Sequence, residues 1–310
     1  MLRMQDRVRE IALDIVCANG RRLAALVNSV LERDATGAPR VIRTAIFDAT
    51  VRREYERELL RAKDRAEESE AHAKVLAQTL QQTLIPPAPP IVPGLDLAAI
   101  YRPAGSGDEI GGDFYDIFEL SEGQWVFAVG DVCGKGVHAA VVTAVARHTI
   151  RAAAVRGGDP SEVLATLNQV LLRHESDRFC TAALVRTHPE GSALTASITS
   201  AGHPLAFLGR PGEAAINVGS TGTLLGVLDE ATFTNTDVPM HSGDRLVLYT
   251  DGITEARRDR VFFGDARLRD AIGRDDEPAA VTASRILQSV LDFQRGNPRD
   301  DIVIVVLRVP

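Results

Sequence analysis

Cysteine is scarce in this chain. Only Cys17, Cys133 and Cys180 occur in 310 residues, and no two are spaced as C-x-x-C. A disulfide framework and a thiolate zinc site are therefore not expected, and the thiols read as incidental ones in a reducing compartment. Long apolar runs are also missing. No stretch approaches the ~18 residues of a membrane span, and the opening MLRMQDRVRE has no apolar core of signal-peptide type. The expected location is cytoplasmic, with no membrane association. Basic residues are not in excess: 35 lysines and arginines face 42 aspartates and glutamates, for a net charge of −7. That balance argues against a nucleic-acid partner, which leaves a basic footprint. No G-x-x-x-x-G-K-[ST] loop occurs, so a P-loop is excluded.

What is present is an ordinary soluble mixture, 45% hydrophobic and 25% charged. The length suggests two units, or one large domain with an appendage. The acidity is uneven. Residues 1–89 hold 15 basic and 13 acidic side chains, a net +2, whereas residues 90–310 hold 20 and 29, a net −9. The C-terminal two-thirds is thus where clustered carboxylates would hold metal ions.

Three textures follow one another along the chain. Residues Leu26–Arg33 and Arg40–Asp48 read as a β-hairpin around the turn-forming DATGAP, with Asn19–Gly20 turning an earlier strand into it. Such a small sheet needs a partner surface. Residues 50–84 contain no Gly or Pro and are rich in helix formers. Leu59, Ala66, Ala73 and Leu80 share one heptad position, and Tyr55, Ala62, Ser69 and Leu76 share another. This seam is weak, and it predicts a signalling helix that pairs with its copy in a homodimer. Five prolines between Pro86 and Pro93 then end the helix and make a stiff linker over residues 85–94. Beyond it, strands are expected over residues 95–101, 124–131, 179–186, 193–201, 244–251 and 301–309. Helices are expected over Val137–Val155, Pro160–His174 and Pro278–Arg295. The strands are not joined by regular helical crossovers, so a layered sheet sandwich flanked by helices fits better than a doubly wound parallel sheet.

Four segments each place an Asp at a strand end or in the turn beside it: GGDFYD (111–116), VFAVGDVCGKG (126–136), VLYTDGITEA (247–256) and NPRDDIVIVV (297–306). Asp-Gly alone is a common turn dipeptide. Four such segments together point to a site, since loops at strand ends are where rigid scaffolds present functional groups. Carboxylate oxygens suit hard cations such as magnesium or manganese, and a pair of such ions can activate water and stabilise phosphoryl oxygens.

GGDFYD, GDVCGKGVHAA, SAGHP (200–204), LYTDGITEA and RDDIVIVV, in that order, resemble the metal-dependent PPM-type serine/threonine phosphatases, and within them the bacterial SpoIIE/RsbU-type branch. The resemblance covers roughly residues 84–310. It implies an α+β fold, a four-layer α/β/β/α sandwich of two antiparallel sheets flanked by helices, here preceded by the β-hairpin and long helix. It implies two manganese or magnesium ions held by Asp113, Asp131, the carbonyl of Val132, Asp251 and Asp300, with Asp131 and Asp113 central to catalysis. A bridging hydroxide would attack phosphorus in line without a covalent enzyme intermediate. The implied substrate is a phosphorylated protein, by branch a STAS-type anti-sigma-factor antagonist in a partner-switching pathway.

Asp116 and Asp301 are weaker candidates, holding water or simply solvated. Many relatives carry a His directly after the bridging Asp-Gly. Here Asp131 is followed by Val132, Cys133, Gly134 and Lys135, which leaves the general acid open. Lys135 reads equally as a phosphate neighbour and as a surface lysine. His203 reads as structural and His138 as a packing or capping residue. GGDFY is similar to the GGDEF signature of diguanylate cyclases but lacks its Glu. Residues 1–49 resemble the last strands of a PAS sensor, too few to form a pocket for haem or flavin. The expected organisation is PAS-like strands over 1–49, the signalling helix over 50–84, the linker over 85–94 and the phosphatase domain over 95–310, regulated through the helix. The rival expectation is a catalytically silent scaffold with a phosphatase fold.

Overall fold

The structure, a computed structural model, describes residues 6–84, 88–104, 111–121, 123–174, 177–190, 193–296 and 298–310. The chain divides into two compact units, Met1–Ala73 and Lys74–Pro310.

The first unit extends the expected hairpin to a three-stranded antiparallel sheet, β1 (Arg7–Val16), β2 (Arg22–Arg33) and β3 (Pro39–Asp48), in that order. The β2–β3 turn is closed by the Asp34 carboxylate, which accepts from the Thr36 and Ala38 amides at 2.9 Å each. Only the central strand is well covered, with Ala25, Ser29 and Leu31 buried. Leu13, Ile42 and Ile46 on the same face stay exposed. Helix α1 (Thr50–Leu84) follows, its first amide held by the Asp48 carboxylate at 2.9 Å. Of the heptad residues, Tyr55 and Leu59 are exposed. The side chains of Ala73, Leu76 and Leu80 lie outside the described residues, as do linker residues 85–87.

The second unit holds two five-stranded antiparallel sheets. One has the order β11 (Thr236–Met240), β8 (Ala193–Ala201), β7 (Cys180–Glu190), β6 (Gln124–Val132), β5 (Phe114–Ser121). The other has the order β10 (Ile216–Val218), β9 (Ala206–Gly209), β12 (Arg245–Tyr249), β15 (Ile302–Arg308), β4 (Asp96–Arg102). A ribbon of two residue pairs, β13 (Arg257–Arg258) and β14 (Val261–Phe262), stands apart from them.

Strand alternation builds three cores. Residues such as Tyr115, Ile117, Phe127 and Val185 meet Leu246, Leu248, Val303 and Val305 between the sheets, and Val92 from the end of the linker is buried with them. Phe114, Phe118 and Ala128 face helices α2 (Val137–Val155) and α3 (Pro160–Arg173). Val247, Tyr249, Ile304 and Val306 face α5 (Gly264–Ile272) and α6 (Ala279–Gln294). The layers are therefore helix, sheet, sheet, helix, as the sequence implies. Helix α3 starts from a capping box: the Asp159 carboxylate accepts from the Glu162 amide at 3.0 Å, and Pro160 opens the first turn.

Candidate metal centre

Each carboxylate of the acidic segments is placed by a strand end. β5 and β6 are paired with Phe114 opposite Gly130, so Asp113 at the entry of β5 lies beside Asp131 at the exit of β6. β12 and β15 are paired with Tyr249 opposite Ile304, which brings Asp251 beside Asp300 and Asp301. Asp251 opens the four-residue helix α4 (Asp251–Thr254). The sheets meet at this end through glycines. A Cβ on Gly111 would overlap the Asp301 carboxylate, and one on Gly252 would come within 1.9 Å of the Asp301 carbonyl oxygen. A Cβ on Gly112 would stand 2.0 Å from the Val132 carbonyl oxygen and 2.7 Å from Asp131 Oδ1. Only glycine lets the backbone close this tightly around the proposed ligands.

The electrostatics are those of a crowded acidic cluster. Burial, then the charge of Asp131, pushes the Asp113 carboxyl well above the usual carboxylate range. Burial, then Asp251, pushes Asp131 up to about 6. Asp251 is raised by burial and by the neighbouring Glu255 and Asp300. Asp301 is raised chiefly by burial. Acids that resist ionisation because they are buried together favour a bound cation. Asp113 Oδ2 is buried and finds no hydrogen-bond partner among the described residues. These donors are oxygen atoms throughout, so the set fits a hard cation such as magnesium or manganese. Among the described residues no three His, Cys, Asp or Glu side chains stand grouped closely enough to hold an ion as they are.

The other residues singled out in the sequence fall into distinct places. Asp300 is exposed, with Lys135 Nζ 3.5 Å from its Oδ1. The same ammonium donates to the Arg299 carbonyl at 3.4 Å, so Lys135 spans the two acidic loops. Asp301 is buried and tied locally, accepting from the Ala104 amide at 2.8 Å and the Tyr101 hydroxyl at 3.2 Å. Asp116 is not solvated: it is completely buried and faces Arg147 and Arg151 of α2. His203 is buried between Thr181 Oγ1 at 2.8 Å and the Tyr249 carbonyl at 3.0 Å. His138 is exposed and makes no cap, since Gly136 begins α2 without a side-chain cap. The Cys133 carbonyl accepts from Arg178. Thr250 escaped the sequence reading, although it sits inside the TDG motif. Its hydroxyl accepts from the Val303 amide at 2.9 Å and so ties the Asp251 turn to β15.

Comparison with known proteins agrees with this architecture. The family model described as Stage II sporulation protein E (SpoIIE) matches residues 121–310. The phosphoserine phosphatase RsbU of Bacillus subtilis is 28% identical over 217 residues, covering 69% of this chain and 63% of that protein. The RsbU and RsbW domains of Rv1364c from Mycobacterium tuberculosis superpose with a TM-score of 0.62 at 27% identity, over 71% of this chain and 62% of that one. The SiaA-PP2C domain of Pseudomonas aeruginosa superposes with a TM-score of 0.64 at 23% identity, over 82% of this chain and all of that one. The chain thus spans somewhat under two-thirds of the length of the first two.

Proposed function

From membership of the SpoIIE family, to which this chain belongs, we propose that it is a metal-dependent phosphoserine/phosphothreonine protein phosphatase. The observation that carries the proposal is the cluster of Asp113, Asp131, Asp251 and Asp301, raised together by burial and mutual repulsion at one end of the sandwich. Two manganese or magnesium ions held by Asp113, Asp131, the Val132 carbonyl, Asp251 and Asp300 would supply an activated water and neutralise phosphoryl charge.

The chain's own residues do the remaining work. The glycines at 111, 112 and 252 allow the backbone close approach. The Thr250 hydroxyl fixes the turn that carries Asp251. Lys135 Nζ stands 3.5 Å from Asp300 Oδ1, and we take it as the cation that meets the substrate phosphate. Cys133, not a histidine, stands two residues after Asp131.

The RsbU relative is a phosphoserine phosphatase by name. In line with that branch, we take the substrate to be a phosphorylated STAS-type anti-sigma-factor antagonist. Helix α1 would pair two copies and regulate turnover. No helix among the described residues is long and apolar enough to cross a membrane.

The test is hydrolysis of p-nitrophenyl phosphate with and without manganese(II), by the full chain and by its Asp131→Asn and Asp251→Asn variants. Manganese-dependent turnover that both substitutions reduce to background is expected. A wild-type chain that neither turns over nor binds manganese would end the proposal.

A further inference from the structure

Helix α2 grips the segment Gly112–Asp116 from one side. Thr143, Arg147 and Arg151 lie a turn apart on a single stripe of the helix, at i, i+4 and i+8. The Thr143 hydroxyl shares its one proton between the Ala139 carbonyl of its own helix at 3.0 Å and the Gly112 carbonyl at 3.3 Å. Arg151 forks onto Asp116, with Nε to Oδ2 and Nη2 to Oδ1 both at 2.7 Å, and Arg147 Nη2 stands 3.3 Å from the same Oδ1. The Arg151 guanidinium also lies over the Phe118 ring, 4.5 Å from its centroid.

Asp116 points to the helix-facing side of β5, between the buried Phe114 and Phe118, and its Oδ1 also accepts from the Ile117 amide at 3.0 Å. Asp116 is wholly buried whereas the Arg151 side chain is 44% exposed, and such a partly buried ion cluster adds little stability over an apolar replacement. A bidentate fork does fix distance and angle, which packing alone does not. The fixed point is three residues from Asp113. The Gly112 carbonyl that Thr143 touches also accepts from the Val132 amide at 3.2 Å. Helix α2 itself begins at Val137, five residues after Val132. Buried Ala139, Ala140 and Ala146 allow the helix to lie close against the sheet.

We infer that Asp116, Arg147 and Arg151 are positioning residues, which hold the Asp113 carboxylate in register with the Val132 carbonyl and Asp131. The inference rests on reading Asp113 as a metal ligand. Supporting groups around metal ligands are worth about 10–100-fold in metal affinity.

The test is a calorimetric manganese(II) titration of the full chain, with the metal-free melting temperature measured alongside. Arg151→Met removes the fork, while Arg147 remains against Asp116 and the methionine stem still covers Phe118. Arg285→Met removes a different ion pair, with Glu277 near α6, and serves as the control. We expect Arg151→Met to weaken manganese binding about tenfold or more. Arg285→Met should lower the melting temperature without moving the affinity. Arg151→Lys keeps the charge without the fork and should fall between Arg151→Met and wild type, which keeps the test open if the methionine variant does not fold. Wild-type affinity in folded Arg151→Met or Arg151→Lys would overturn the inference. Asp113→Asn goes into the same titration: if it binds manganese like wild type, the ligand reading fails instead, and the inference with it.

Discussion

At the residue scale, buried polar groups are decided by partners far away in the chain. Asp116 looks solvated in sequence because its arginines lie 31 and 35 positions further on. Asp301 is likewise defined by Tyr101, 200 positions earlier. His203 is the case where the sequence reading and the structure agree on a structural role. The Tyr249 carbonyl can only accept, so Nε2 carries the proton and Nδ1 accepts from the Thr181 hydroxyl. The ring thereby ties β7 to the end of β12, just before Asp251. Burial pushes its pKa down to about 4. The unfolded chain, with an ordinary histidine near 6.5, binds more protons than the folded one between those values, so this stabilisation is complete above about pH 6.5 and is lost as pH falls toward 4. At pH 5 the loss is about 2 kcal/mol. Asp131, raised to about 6, acts with the opposite sign, since its folded form holds the extra proton and its contribution falls as pH rises through about 4–6. A comparison of wild type with His203→Gln removes the carboxylate term from the difference. Urea melts at pH 7 and pH 5 should show a larger penalty for His203→Gln at pH 7. An equal penalty at both pH values would mean that the ring is not held neutral.

At the element scale, what could be read locally was read. Helix α2 runs over Val137–Val155 as its alanine-rich pattern indicates, and Asp159-Pro160 marks the start of α3. The strands β6, β8 and β15 fall within a residue or two of their apolar runs. Strand β5 was not legible as a strand, because GGDFYD carries turn and metal-site signals at its entry. Strands β9, β10 and β11 have three to five residues each, among glycines and prolines, and helix α4 has four. Elements this short carry no period and are set by tertiary pairing. The four acidic segments were visible as motifs, but their convergence depends on the pairing of β5 with β6 and of β12 with β15. The close approach of β5 to β6 at Gly112 gives a direct test of that convergence. In Gly112→Ala the new methyl would stand 2.0 Å from the Val132 carbonyl oxygen, so backbone must move at the proposed ligands themselves. Manganese affinity should fall by at least about tenfold, read by calorimetric titration, while the far-UV spectrum is retained. Unchanged affinity would place the ligands elsewhere.

At the scale of the whole molecule, the acidic C-terminal region forms the four-layer sandwich, and the near-neutral N-terminal part forms a separate compact unit. The sandwich carries its own three cores, so it has the material to fold without the first 84 residues. The N-terminal sheet covers little, leaving Leu13, Ile42 and Ile46 exposed on one face. Three strands with an open apolar face are marginal alone and suit an interaction module. Under the proposed regulation through the 35-residue helix α1, its coupling to the sandwich would be worth about 1–3 kcal/mol, or roughly 5–150-fold. A chain beginning at Ile85 should therefore hydrolyse an aryl phosphate at saturating manganese at a rate at least about fivefold different from the full chain at matched concentration. A higher rate would identify the N-terminal unit as a brake, and a lower one as an activator. If α1 acts by pairing two copies, the full chain should sediment as a dimer and the shortened chain as a monomer. Equal rates with both proteins folded would remove regulation through α1, while leaving the carboxylate site untouched.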